Sequence, residues 1–207
     1  MAESGEQVVE NVEQDVEDDD DIGNPNYKPP EEKSMQEILE ADKGDESLDN
    51  YKKKLMGETS IPVVLDENNP HRVIIEKLEL HIEDDPSENQ SMDLTGDVAN
   101  LKNKKFEVVE NSKYRILILF HVQREIVTGL QYYHTAKRAG VKVEKNILMM
   151  GSYSPRTEQH CFKTPVEEAP KGMLARGVYN VHSSFIDDDA HKYIEFDWKL
   201  EIVKKKK

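Results

Sequence analysis

The chain has 207 residues, a net charge of −14 and one cysteine, Cys161. A single cysteine excludes an intrachain disulfide and implies a reducing compartment, and the acidic balance argues against nucleic acid, whose phosphates need clustered Lys and Arg. Met1-Ala2-Glu3-Ser4 is too polar to open a signal peptide and no apolar run approaches the ~18 residues of a membrane span, so the expected location is cytoplasmic.

The charge is unevenly placed. Residues 1–60 hold 19 acids and 6 bases, a net of −13, which leaves residues 61–207 close to neutral. Such a split describes an acidic arm on a compact body. Residues 1–25 contain ten acids and no base and end in Asp18-Asp19-Asp20-Asp21. They cannot bury enough apolar surface to offset the entropy of ordering, and read as a disordered acidic leader, either solubilising or attracted to a basic partner.

Residues 26–60 form a second segment. Tyr27-Lys28-Pro29-Pro30 reads as an extended linker or docking strip. Ser34-Met35-Gln36-Glu37 is a capping box, in which the Ser34 hydroxyl and the Glu37 carboxylate satisfy each other's free amides. The helix it opens carries Met35, Ile38 and Leu39 on one face and stops at Lys43-Gly44. Asp45 is an N-cap for a second helix with Leu48, Tyr51 and Leu55 in a stripe. Isolated helices under ~12–15 residues are marginal in water. Two readings follow: a hairpin docked on its own body, or helices that order on another protein. The acid run upstream favours the second.

Strand patterns dominate from residue 72. Val73 to Ile82 alternates late, with Leu78, Leu80 and Ile82 on one face. Tyr114 to Val122 is apolar on both faces in its middle, as suits a central strand. Leu130, Tyr132 and His134 alternate with Gln131, Tyr133 and Thr135, and Tyr179, Val181 and Phe185 share a parity. In the last strand Ile194, Phe196, Trp198, Leu200 and Ile202 face one way and charged residues the other. Thr95-Gly96-Asp97, Gly151-Ser152 and Pro170-Lys171-Gly172 read as turns between strands. The expected fold is all-β, a two-sheet immunoglobulin-like β-sandwich over residues 61–207 with a partly helical N-terminal arm.

Catalytic signatures do not appear: no P-loop, no Gly-x-Ser-x-Gly, no His-Glu-x-x-His, no Cys-x-x-Cys. The histidines at 71, 81, 121, 134, 160, 182 and 191 show no close pair at ligand spacing, so neither a metal site nor a cofactor is expected. Asp187-Asp188-Asp189 lacks the glycine and closing glutamate of an EF-hand and reads as an acidic turn or a contact for a basic partner. Lys204 to Lys207 reads as a basic tail, either solvated or a weak contact for a membrane surface.

Asn26-Tyr27-Lys28-Pro29-Pro30, Asp45-Glu46-Ser47-Leu48, Asp93-Leu94-Thr95-Gly96-Asp97, Gly151-Ser152-Tyr153 with Pro155-Arg156, and the run from Thr164-Pro165-Val166-Glu167-Glu168-Ala169-Pro170-Lys171-Gly172 to Gly177 closely resemble the Rho GDP-dissociation inhibitors, from about residue 26 to 203. The resemblance implies a sandwich whose sheets splay around a prenyl chain, and a helical arm that lies on the switch segments of a Rho-family GTPase. Carried over by position, Tyr27, Ile38, Asp45, Ser47, Leu48, Tyr51 and Asp189 would meet the GTPase, and Leu80, Phe106, Tyr114, Ile126, Leu130 and Trp198 would line the lipid pocket. Leu148 departs from the pattern, where an aromatic is expected. The implied partner is a prenylated GTPase, GDP-bound, carrying geranylgeranyl or farnesyl and held one to one by a monomeric inhibitor that extracts it from membranes. A general carrier of lipidated proteins without nucleotide control is the alternative, though such a carrier needs no helical arm.

Overall fold

A computed structural model describes residues 63–205 and, upstream, Ser47, which is helical and exposed. The leader, the capping box and the expected contacts Tyr27, Ile38, Asp45, Leu48 and Tyr51 lie outside the described residues.

Ten strands follow in chain order: β1 Val73–Ile82, β2 Gln90–Asp93, β3 Lys105–Val109, β4 Lys113–Val122, β5 Val127–Arg138, β6 Val141–Tyr153, β7 His160–Lys163, β8 Glu167–Glu168, β9 Gly177–Ile186 and β10 Lys192–Val203. They make two five-stranded sheets. One runs β2-β1-β4-β7, with β8 also on β4; the other runs β3-β10-β9-β5-β6. Every pairing is antiparallel except β3 with β10. One core cluster draws side chains from both sheets, so the architecture is the expected two-sheet sandwich.

The strand chemistry explains the faces. β4 is central in its sheet, and Tyr114, Ile116, Ile118, Phe120 and Val122 all point into the core. Its register with β1 slips between Ile75 and Lys77. Before the slip Val73 and Ile75 are buried; after it Leu78, Leu80 and Ile82 are. A bulge of this kind flips side-chain parity, which is why the alternation is visible only late in the segment.

One turn expectation is corrected. Gly151-Ser152 lies inside β6, not between strands. Gly151 has φ 120° and sits opposite Leu130, where the β5–β6 register is irregular, and the Ser152 Oγ accepts from the Gly129 N–H at 3.2 Å. Gly129, at φ 55°, passes so close to Asp188 that a Cβ there would overlap its carboxylate. The glycines mark bulges, not a chain reversal.

The segment that leads into β1 is tied to the end of β4. Buried Gln123 accepts from the Leu65 and Asp66 amides at 3.0 and 2.9 Å and donates to the Asn69 and His71 carbonyls, both at 2.9 Å. Arg124, at φ 67°, donates from its guanidinium to the carbonyls of Asp66, Glu67 and Asn69. Residues 65–71 have no ladder of their own; these two side chains serve two of their amides and four of their carbonyls, and Asp66 and Asn69 answer the Asn68, Asn69 and His71 amides from within the segment.

Candidate functional site

A gap opens between the sheets at the end where β1 finishes and β4 begins. Tyr114 and Ile116 of β4 form one wall, with Thr164 and Glu167; Tyr132, His134 and Ala136 of β5, Val181 of β9 and Trp198 and Leu200 of β10 form the other, and Glu144 of β6 stands at the rim. The space inside is about 30 Å³. Sites for drug-sized ligands run to roughly 300–1,000 Å³, so the gap as it stands is too small for such a ligand and would have to widen by separation of the sheets. β8 is two residues long, so few ladder bonds hold this edge of its sheet.

The floor of the gap is aromatic and fully satisfied. Trp198 is 2% exposed and its Nε1–H donates to Ser183 Oγ at 2.9 Å. The Tyr132 hydroxyl is 3.0 Å from the same oxygen. Phe106 meets Trp198 edge-on with centroids 5.3 Å apart, and Phe185 stacks on Tyr132 at 4.8 Å. Burial pushes the Tyr132 hydroxyl well above the ordinary phenol range, so it stays a neutral hydrogen-bonding group.

The rim is polar and acidic. The Tyr114 hydroxyl donates to Glu167 Oε2 at 2.9 Å, and burial first, then the Glu167 charge, raises its pKa. Asn146 Nδ2 donates to Glu144 Oε1 at 2.6 Å, and His134 Nε2 lies 3.4 Å from that oxygen. The His134 hydrogen bond, the His134 charge and Asn146 outweigh desolvation and hold the Glu144 carboxyl below its usual range.

The expected lipid contacts are not all in one place. Tyr114 and Trp198 line the gap, and Phe106 lies behind Trp198. Leu80 is level with Ile116 and fully buried. Leu130 is also fully buried, but on β5 it lies beyond Tyr132, away from the gap residues His134 and Ala136. Ile126 is half-buried in the β4–β5 loop, further still in that direction. Leu148 packs on the core opposite Tyr132.

The acidic turn after β9 divides its labour. Asp187 has a side chain 2% exposed and is spoken for by Arg72 at 3.2 Å, the Tyr193 hydroxyl at 2.5 Å and the amides of Asp189 and His191. Asp188 is exposed and Asp189 half-exposed. Asp187 follows Val181 by six residues of extended chain, roughly 20 Å, so Asp189 and the gap sit toward opposite ends of the sandwich.

The run that carries the sequence resemblance forms a strap between β8 and β9. Glu110 takes Arg176 in a two-pronged pair, Oε2 from Nε at 3.1 Å and Oε1 from Nη2 at 2.7 Å, and accepts the Gly172 amide at 2.9 Å. Arg176 first and then the Gly172 amide lower the Glu110 pKa. From the other side Arg138 donates to the carbonyls of Leu174 and Arg176. Between these anchors Met173 and Leu174 are 82% and 86% exposed.

Sequence reasoning missed Ser183, His134, Glu144 and Glu167. Ser183 had a signal: it falls on the inward parity of Tyr179, Val181 and Phe185, where a serine implies a buried partner. The other three come together only through strand pairing.

The chain matches the family model described as "RHO protein GDP dissociation inhibitor" over residues 11–205. Rho GDP-dissociation inhibitor 1 of Rattus norvegicus is 47% identical over 189 residues, 91% of each chain. The Homo sapiens protein of that name is 46% identical over the same share. A probable rho GDP-dissociation inhibitor of Caenorhabditis elegans is 48% identical over 180 residues, 86% of this chain and 92% of that one.

Proposed function

This chain belongs to the Rho GDP-dissociation inhibitor family, and from that premise we propose how it acts on its partner. Inhibition of GDP dissociation from a Rho-family GTPase is the function, and it is one of regulation by binding. The finer reading is that residues 26–60 hold the GTPase switch segments while the body takes the prenyl group, so that the GTPase leaves the membrane as a soluble one-to-one complex.

The observation that carries the lipid part is the apolar gap over Trp198, closed on one side by the two-residue strand β8. A buried CH₂ is worth about 0.8 kcal/mol, so a single prenyl chain holds a protein to a membrane only reversibly. A protein that offers a dry slot of similar capacity competes for it. Separation of the sheets exposes the walls of that slot, and the lipid re-covers them.

Nucleotide retention works by a different route. GTPase switches are two-state elements, ordered or released. A partner that binds their ordered form shifts the population toward it and keeps the nucleotide enclosed. With Asp189 and the gap at opposite ends of the body, switches and prenyl tail occupy separate sites on one chain, and each raises the effective concentration of the other. A general lipid carrier leaves this second action without a purpose.

Membrane extraction with prenylated and unprenylated GTPase, side by side, tests the reading. Release of the prenylated form alone into the soluble fraction, with slowed GDP release, is expected. Slowed GDP release without extraction would remove the lipid role and leave the nucleotide role standing.

A further inference from the structure

His134, Glu144 and Glu167 each bring one ligand atom to within 4.8 Å of the other two. They come from three strands and from both sheets: β5 and β6 on one side of the gap, β8 on the other. We propose that they form a site for a divalent transition-metal ion of the zinc class, which ties the two sheets together at the rim of the gap. The site does not require the lipid reading, and an ion bound there would hold closed the sheets that a lipid has to part.

The geometry suits the ion better than it suits the side chains alone. His134 Nε2 is 3.4 Å from Glu144 Oε1, long for a hydrogen bond. In a tetrahedral site with bonds of about 2.0–2.1 Å, neighbouring ligand atoms stand about 3.3 Å apart. Nε2 also lies 3.4 Å from Asn146 Nδ2, so both of its neighbours stand at about the ligand–ligand spacing and neither is a short partner.

The charges point the same way. Two carboxylates face each other across the gap, and no lysine or arginine is among the residues that line it. Among the described ion pairs Glu144 has only His134, and Glu167 has none. Each carboxylate is already oriented by a neutral donor: Asn146 for Glu144 and Tyr114 for Glu167. Partners of this kind steer ligands in metal sites. One imidazole with two carboxylates is a donor set that zinc accepts, with water in the fourth position. The other close group, Asp187, Asp189 and His191, is a poorer choice, because Asp187 already faces the Arg72 guanidinium.

Titration of the full chain with zinc chloride, followed by calorimetry and by thermal unfolding, tests the site. One zinc per chain is expected, with a rise in Tm. His134→Gln, Glu144→Gln and Glu167→Gln each should weaken binding at least tenfold and abolish most of the rise, while His191→Gln leaves both intact. All three positions are partly solvent-exposed, and near-ultraviolet circular dichroism confirms that each variant folds. No saturable binding, or binding that survives all three substitutions, would overturn the proposal. Zinc binding that Glu167→Gln leaves unchanged would overturn it too, since the tie between the sheets depends on Glu167.

Discussion

Trp198 and Ser183 are joined across neighbouring strands by an indole N–H to hydroxyl hydrogen bond of 2.9 Å, in a place where Ser183 is 0% exposed. The same hydroxyl serves Tyr132 at 3.0 Å. One small side chain therefore satisfies two large aromatic groups. Ser183→Ala leaves both without a partner in the core, and a buried unsatisfied group costs about 1–3 kcal/mol. Urea denaturation should show a lower midpoint with an unchanged slope. A variant as stable as the parent would mean that the two aromatics find other partners.

Trp198 itself is expected to matter for lipid. Trp198→Ala should weaken binding to a prenylated GTPase more than to the unprenylated form, compared at a temperature where the variant is folded. Equal losses would return Trp198 to an ordinary core role.

The arm is expected to be separable. Removal of residues 1–60 should leave a folded body that still binds a prenylated peptide but no longer slows GDP release. The body's core draws on residues from Val73 onward. Undiminished inhibition of GDP release would assign that action to the body.

Asp187 and Asp189 should part company on substitution. Asp187→Ala strips a buried partner from Arg72 and Tyr193 and leaves two amides unanswered, with a loss of stability on the order of 3 kcal/mol. Asp189→Ala should leave unfolding within about 0.5 kcal/mol of the parent, as for most surface changes, and weaken GTPase binding several-fold. Thermal melts and GTPase titrations on both variants check the pair of outcomes.

His160 gives the body an acid limit. It is 5% exposed, stacked on Phe120 at 5.3 Å and set edge-on against Tyr153 at 4.9 Å. Burial first, with help from the Arg156 charge, pushes its pKa down to about 4 from the ordinary 6.5. The folded state therefore holds this histidine neutral where the unfolded chain would protonate it. Its contribution is full above pH 6.5 and is lost as pH falls from there toward 4. The whole interval amounts to about 3 kcal/mol. His160→Phe should flatten the stability profile between pH 6.5 and 4 relative to the parent, and an identical slope would show that His160 titrates normally.

Much of this was legible in the sequence where one physical rule acted alone. β10 alternates cleanly because one face packs on the core and the other meets solvent, and β4 shows as a strand because Tyr114, Ile116, Ile118, Phe120 and Val122 all enter the core from one face. β6 does not announce itself. It is an edge strand whose outward Val143, Ile147 and Met149 are exposed while the inward-facing Glu144 and Asn146 are polar, so its pattern is blurred on both faces. Gly151-Ser152 misled because glycine serves bulges as readily as turns. The rim was illegible for another reason. His134 and Glu144 are ten residues apart and Glu167 lies on the opposite sheet, and only the β5–β6 hairpin and the β4–β8 pairing bring them together.

The knot at Gln123 has a mechanical consequence. It fastens the chain that leads from the arm to one end of β4, and the other end of β4 carries Tyr114 at the gap. Tension on the arm therefore enters a strand flanked by antiparallel neighbours, whose hydrogen bonds lie across the direction of pull and share the load. Because the ladder bonds of β4 to β1 and β7 share that load, the strand resists unravelling from the Gln123 end.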